Sequence, residues 1–243
     1  RTPKDQVVAR LRGAQVAVTN KAVLDAAVIG ALPDLRFIAV TATGVNVVDG
    51  AAARARGIPV ANVPEYSTAS VAQFTMALLL ELAHGVGRHS AAVLGAENAW
   101  VKSPDFSFTL SPQVELAGRT FGVIGFGLIG RATAALAHAL GMRVLANSRS
   151  RSQQAPFPFA WRSVEEVAAE SDVVSLHCPL TPENAGMVHA AFLARMKRGA
   201  GLVNTARGGL VNEGDLAAAL KTGQLGAAAL DVAGREPPDA DSP

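Results

Sequence analysis

The sequence holds a single cysteine, Cys178, among 243 residues. That excludes a disulfide framework within the chain and any cysteine-based zinc cluster; no metal is expected, and the setting it fits is a reducing, cytoplasmic one. Charge is scarce as well, with 17% of residues Asp, Glu, Lys or Arg and a formal net charge of +2. No Lys/Arg cluster is interleaved with the few aromatics, so there is no track for nucleic acid. A membrane partner is not expected either. The most apolar stretch, VAQFTMALLLELAHGV, is broken by Glu81 and His84 and falls short of the roughly 18 uncharged residues a span needs. The opening shows no signal-peptide pattern, yet it starts at Arg1 in a helix-like segment rather than at Met, so residues are expected to precede it. What the chain has in plenty is apolar side chains, 49%, enough to bury a substantial core in two domains.

The first half alternates short β-branched runs, QVAVT (15–19), RFIAVT (36–41) and IPVANV (58–63), with Ala-rich helical patterns. That order predicts parallel strands joined by right-handed crossovers. A long helix follows from about Val71, opened by Ser70 and Gln73 at capping-box spacing. Its apolar residues cover nearly every side, so it is expected between two packed bodies and joins the domains. After a looser stretch over 90–117 come RTFGVIG, RVLAN, DVVSLHC, AGLVNTA and GAAALDV, separated by helical segments near 128–140, 164–169, 190–195 and 213–220. The fold expected is α/β: two doubly wound, Rossmann-like parallel-sheet domains, an incomplete substrate-binding one over 1–92 and a dinucleotide-binding one over 93–243, joined by long helices.

Gly125, Gly127 and Gly130 form G-x-G-x-x-G directly after an apolar strand and at the start of a helix. In that context Gly125 permits the tight turn, Gly127 leaves room for a pyrophosphate, and Gly130 lets helix and strand pack closely, while N–H groups of the helix start face the phosphates. Folds of this kind place a carboxylate on the adenosine ribose about twenty residues beyond the first glycine. Here that region, Asn147 to Arg151, has no acid. Ser148, Arg149 and Ser150 offer hydroxyls and positive charge suited to a 2′-phosphate, so NADP(H) is favoured, with NAD(H) as the remaining candidate. The competing reading leaves both arginines of the loop in solvent.

Further polar clusters follow other strands. Arg207 comes after an apolar strand and before Gly208 and Gly209, where a guanidinium can fork onto a carboxylate and polarise the neighbouring carbonyl; alternatively it pairs with an acid as a structural residue. Glu236 lies beyond the last strand beside two prolines and can orient a histidine. Asp231 ends a strand inside an apolar run, where a buried carboxylate needs partners such as a cofactor amide, or else caps a helix.

The segments ATGVNVVD, NVPEYSTASVAQ, VELAGRTFGVIGFGLIGR, LHCPLTPENAGMV, NTARGGLVNEGDL and ALDVAGREPP resemble, in order and spacing, the D-2-hydroxyacid dehydrogenase family, in its branch of glycerate dehydrogenases and glyoxylate/hydroxypyruvate reductases. The resemblance covers nearly the whole chain. It implies that Arg207 is the substrate-binding catalytic arginine and Glu236 the carboxylate paired with the catalytic histidine. Leu128 and Ile129 fall where the turn touches the pyrophosphate, and Ser148 replaces the usual aspartate. His177, Cys178, Pro179, Thr205, Ala206 and Asp231 match positions lining the adenosine and nicotinamide portions. Thr43, Gly44 and Val45 match the loop that meets the substrate carboxylate. It further implies a homodimer and a small 2-oxoacid or 2-hydroxyacid as substrate. One departure stands out: the family's proton donor is a histidine C-terminal to the glutamate, which this sequence does not reach before Pro243.

The activity implied is hydride transfer between NADP(H) or NAD(H) and C2 of a small 2-oxoacid, such as hydroxypyruvate giving D-glycerate or glyoxylate giving glycolate. One rival is a nucleotide-sensing, corepressor-like binding protein without significant turnover. Another keeps the enzyme and exchanges the substrate for phosphoglycerate, lactate or formate; no extra basic pair for a substrate phosphate is evident, which argues against the first of these.

Overall fold

A computed structural model describes residues 2–243. The chain forms two compact units that divide between Ser67 and Thr68. In the first, α1 (Val7–Leu11), β1 (Val16–Thr19), α2 (Ala26–Gly30), β2 (Phe37–Val40), α3 (Gly50–Ala55) and β3 (Val60–Ala61) alternate. The three strands pair in parallel in the order β1-β2-β3. Asp25 and Asp49 start α2 and α3 by accepting the N–H groups of Val28 and of Ala51 and Ala52, which satisfies donors the helix cannot. Leu24, Ile29, Ile38 and Val40 form the core, while Val16 and Val18 on β1 are 53% and 66% exposed.

The second unit contains α4 (Thr68–His84), α5 (Val86–Leu94), β4 (Thr120–Ile124), α6 (Leu128–Ala139), β5 (Arg143–Asn147), β6 (Phe159–Trp161), α7 (Val164–Glu170), β7 (Val173–Leu176), α8 (Ala190–Arg195), β8 (Ala200–Asn204), α9 (Glu213–Lys221) and β9 (Leu225–Leu230). Its parallel sheet runs β6-β5-β4-β7-β8-β9. The chain therefore winds outward from β4 in one direction, returns, and winds outward in the other. Right-handed crossovers on opposite sides of such a reversal put helices on both faces. On one face Met76 and Leu79 of α4 and Ala134 and Ala137 of α6 meet Phe121 and Val123. On the other, α7, α8 and α9 meet Ile124, Leu176 and Leu202 through Val167, Leu193 and Leu216. Buried on both faces, β4 and β7 read as continuous apolar runs rather than alternating ones.

Several expectations are corrected. A sixth strand, β6, pairs with β5; at three residues it is too short to show a period. The long helix starts at Thr68, which places Ser70 inside its first turn. A capping box is present instead at Ser163 and Glu166, opening α7. The second compact unit begins at Thr68 with α4, which packs against α6, β8 and β9. Within that unit α4 is not enclosed all round: Ala72, Thr75, Met76, Leu79 and Ala83 are buried, whereas Phe74 and Leu80 are exposed. Among the described residues no single helix is long and apolar enough to cross a membrane; α4 and α5 reach that length only together, across a 63° bend.

Candidate functional site

The direction of winding reverses at β4, and the turn that leaves β4 is the glycine turn. Gly125 has φ +101°, and a Cβ there would overlap the backbone of His177 and Cys178 on leaving β7. The N–H of Gly125 donates to the carbonyl of Asn147 at the end of β5 (2.9 Å), and the N–H of His177 to that of Ile124 (2.7 Å). A Cβ on Gly130 would overlap the Gly125 carbonyl oxygen. Only Gly127 opens outward, with nothing within 4 Å of an added Cβ. It is the N-cap of α6, and no side chain caps that helix. Leu128, in the first turn, is exposed, and Ile129 is half-buried. The arrangement leaves open space beside uncapped helix N–H groups at the positive end of α6.

Beyond β5, Ser148 is half-buried and Arg149 and Ser150 are exposed. Ser150 Oγ lies 2.7 Å from Ser152 Oγ. The charge of Arg149 acts on two groups of the loop after β7, the Cys178 thiol and the Glu183 carboxyl. Burial raises the thiol pKa, and Arg149 opposes that. Glu183 is held below the usual carboxylate range first by the Thr181 hydroxyl, with Arg149 adding to the effect. The charge of Arg149, after β5, thus reaches groups in the loop after β7. Asn184 closes that loop, accepting from the Thr181 N–H (2.7 Å) and donating to the Pro179 carbonyl (2.8 Å); Pro179 itself is exposed.

His177 is half-buried, with Nε2 2.9 Å from Ser175 Oγ. Burial lowers its pKa to about 4, so the ring is neutral at physiological pH. The other histidines lie on helices: His84 ends α4, His89 is within α5, His138 within α6, and His189 caps α8 by accepting from the Ala191 N–H.

Past β8 the chain turns sharply. The side chain of Thr205 is directed inward: Thr75 Oγ1 donates to the Val71 carbonyl (2.8 Å), so the 2.9 Å contact between the two hydroxyls has Thr205 as donor. Ala206 and Arg207 are half-buried, and Arg207 Nη1 donates to the Ala206 carbonyl at 2.7 Å. Gly208 lies so close to Ala233 and Gly234 that a Cβ would overlap their backbone. Glu213, in the first turn of α9, accepts from the Gly234 N–H at 2.7 Å. The turn carrying Arg207 and the segment leading to Glu236 are therefore joined, although Glu236 itself is exposed. Asp231 is exposed as well. Among the described residues its carboxylate is not desolvated as expected; it follows β9, the last strand in the order of the sheet.

In the first unit Thr43, Gly44 and Val45 follow β2. Thr43 Oγ1 lies 3.2 Å from Ser67 Oγ, and Asn62 Nδ2 donates to the Thr43 carbonyl at 2.7 Å.

The family model described as D-isomer specific 2-hydroxyacid dehydrogenase, NAD binding domain, matches residues 76–243. The chain belongs to this family of dehydrogenases. Among its relatives, the hydroxypyruvate reductase of Blautia hydrogenotrophica is 43% identical over 243 residues, all of this chain and 75% of that protein. The glycerate dehydrogenase of Methylorubrum extorquens is 42% identical over 235 residues, 96% of this chain and 72% of that one. The crystal structure of the TT0316 protein from Thermus thermophilus has a TM-score of 0.86 at 39% identity, covering 99% of this chain and 75% of that one.

The dehydrogenase's glycine turn fits the dinucleotide that its family name implies. Two of its glycines are required by backbone contact and the third faces open space, which is what a bound diphosphate needs of them. Sequence reasoning passed over Asn147, Asn184 and Asn204, which hold the turns of this dehydrogenase together. For Asn184 and Asn204 the signal available was an asparagine at a strand end or in a turn, a residue type that bonds its own backbone, whereas Asn147 reaches the Arg162 carbonyl beyond β6.

Proposed function

We propose that this dehydrogenase interconverts a small 2-oxoacid and its D-2-hydroxyacid, hydroxypyruvate and D-glycerate or glyoxylate and glycolate, with NADP(H) preferred over NAD(H). The observation that carries the reading is the placement of two turns on one edge of one sheet. The glycine turn leaves β4 and the Arg207 turn leaves β8, with only β7 between them. Parallel strands at a spacing of about 4.8 Å put their ends about 10 Å apart, the scale of a nucleotide half.

In this reading the N–H groups at Leu128 and Ile129 hold the diphosphate, and Ser148, Arg149 and Ser150 hold the 2′-phosphate. Cys178, Pro179, Thr205 and Ala206 line the remainder mainly through backbone, since the Thr205 hydroxyl is already committed to Thr75. When bound, the nicotinamide supplies or accepts the hydride at the substrate C2. Arg207 forks onto the substrate carboxylate and polarises the adjacent carbonyl. Glu236 is assigned the carboxylate that orients the family's proton-donating histidine. His177 does not take that part, because a ring held neutral down to about pH 4 has no spare proton at neutral pH. The relatives named hydroxypyruvate reductase and glycerate dehydrogenase, at 43% and 42% identity, support the substrate class. A homodimer belongs to the same reading, with the exposed Phe74 and Leu80 of α4 as part of its surface.

The test is steady-state kinetics with hydroxypyruvate and glyoxylate. Arg149→Ala is expected to raise KM for NADPH about ten- to hundredfold, the worth of one charge-assisted contact, and that for NADH less than about threefold. Equal changes for both dinucleotides would refute the phosphate assignment. No turnover of any 2-oxoacid by the complete wild-type gene product, with the residues that follow Pro243, would leave a nucleotide-sensing protein in place of an enzyme.

A further inference from the structure

Asn204 is the last residue of β8 and is fully buried. Its side-chain amide is used at both ends, and both partners are backbone groups of the turn that follows. Oδ1 accepts the N–H of Ala206 at 3.0 Å, and Nδ2 donates to the carbonyl of Arg207 at 2.9 Å. Those partners dictate the orientation of the amide, because an N–H must face the oxygen and a carbonyl must face the nitrogen. The Arg207 carbonyl also accepts the Leu210 N–H at 3.2 Å, so two donors converge on it. The Asn204 carbonyl accepts the Asp231 N–H at 3.0 Å, which ties the start of the segment leading to Glu236 to the same residue.

We propose that Asn204 is a positioning residue of the reaction: its buried amide sets the backbone at Ala206 and Arg207 and so the direction from which the guanidinium is presented. The inference rests on the role of Arg207 proposed above. The chemistry demanded of residue 204 is narrow. Aspartate supplies the acceptor for Ala206 but turns an anion towards the Arg207 carbonyl; serine can reach one partner and not both; alanine takes the acceptor from the Ala206 N–H and leaves the Arg207 carbonyl with the Leu210 N–H alone. A guanidinium acting by geometry is sensitive to shifts of this kind, since misplacement by about 1 Å can cost about a hundredfold in rate.

Two measurements test it together. Amide hydrogen exchange of residues 205–210 in Asn204→Ala is expected to quicken at least about tenfold, with β7 and β4 unchanged. In kinetics of the complete gene product with hydroxypyruvate, Asn204→Ala is expected to lower kcat/KM about thirtyfold beside Arg207, but less than about threefold in an Arg207→Lys background, where the fork is already lost. Should Asn204→Ala fail to fold, Asn204→Ser carries the same cycle with a smaller first effect. Unchanged exchange over 205–210 would overturn the proposal whatever the enzyme turns over. Equal kinetic losses in both backgrounds would overturn it too, by showing that Asn204 does not act through Arg207. Absence of turnover in the wild type would instead refute the functional reading, and hydrogen exchange would still decide whether Asn204 holds the turn.

Discussion

The two units are built from the same alternation of strand and helix, yet one sheet is covered on one face and the other on both. In β1, Ala17 is 1% exposed and its neighbours Val16 and Val18 are 53% and 66% exposed. In β4 all five residues are buried. The cause is topological. Strands added in the order β1-β2-β3 advance one way, and right-handed crossovers then lay the connections on a single face. The order β6-β5-β4-β7-β8-β9 reverses at β4, and the crossovers fall on both. That reversal also parts the loops after β4 and β7 in opposite directions and opens the crevice where such sheets bind ligands. Coverage of both faces and the crevice at the glycine turn are thus two outcomes of one change of direction in the second unit.

The sharpest way to break this comparison is at glycines. Gly130→Ala forces a Cβ into the Gly125 carbonyl, which is backbone and cannot swing aside. We expect a loss on the order of 3 kcal/mol or more in urea unfolding and at least about a hundredfold weaker NADPH binding. Gly50→Ala is the counterpart in the first unit. The residue opens α3 with nothing within 4 Å, so the change is expected to be neutral or stabilising by up to about 1 kcal/mol. Comparable losses at both positions would show that the contact at the reversal is not what distinguishes them.

A smaller effect comes from pH. All five histidines lie beyond Ser67, so histidine titration between pH 6.5 and 4 reports on the second unit. Burial depresses the folded pKa of His177 to about 4. Below the unfolded pKa of about 6.5 the unfolded chain therefore binds the proton that the folded ring refuses. Stability contributed by the neutral ring is complete above pH 6.5 and is lost as pH falls towards 4, by about 1–3 kcal/mol. His177→Gln should flatten that window in denaturation midpoints taken from pH 7 to 4.5. An undiminished slope in the variant would assign the acid sensitivity to other groups.

The smallest expected effect sharpens the contrast from the exposed side. Val18→Thr, on the uncovered face of β1, is expected to change stability by less than about 0.5 kcal/mol by thermal unfolding. A loss of about 2 kcal/mol would mean that this face is covered in solution.

Most of the second unit was legible residue by residue, because its strands are long apolar runs and its helices carry plain start and stop signals. RVLAN became β5 over Arg143–Asn147, and the segment expected at 190–195 became α8 over Ala190–Arg195. β6 was not legible, since three residues between two loops show no period. Nor was the start of α4 at Thr68, where a capping-box spacing occurs inside the helix without marking its beginning. In the candidate site, Gly125, Gly127, Gly130 and Arg207 were visible because each sits at a strand end with neighbours that only a turn explains. The inward commitment of Thr205 to Thr75 was not, because the two are separated by 130 residues.

What the sequence determined by itself is local and chemical: where strands and helices fall, that a glycine turn follows β4, and that a hydroxyl and a cation stand where a carboxylate is usual. These follow from side-chain type and spacing along a few neighbouring residues. The tertiary structure alone decided which way each crossover runs, that Asp231 is exposed past β9, and that Asn204 spans the turn of Arg207 from within the core. Those depend on which strands become neighbours, and pairing between distant segments leaves no mark on the residues adjacent in the chain.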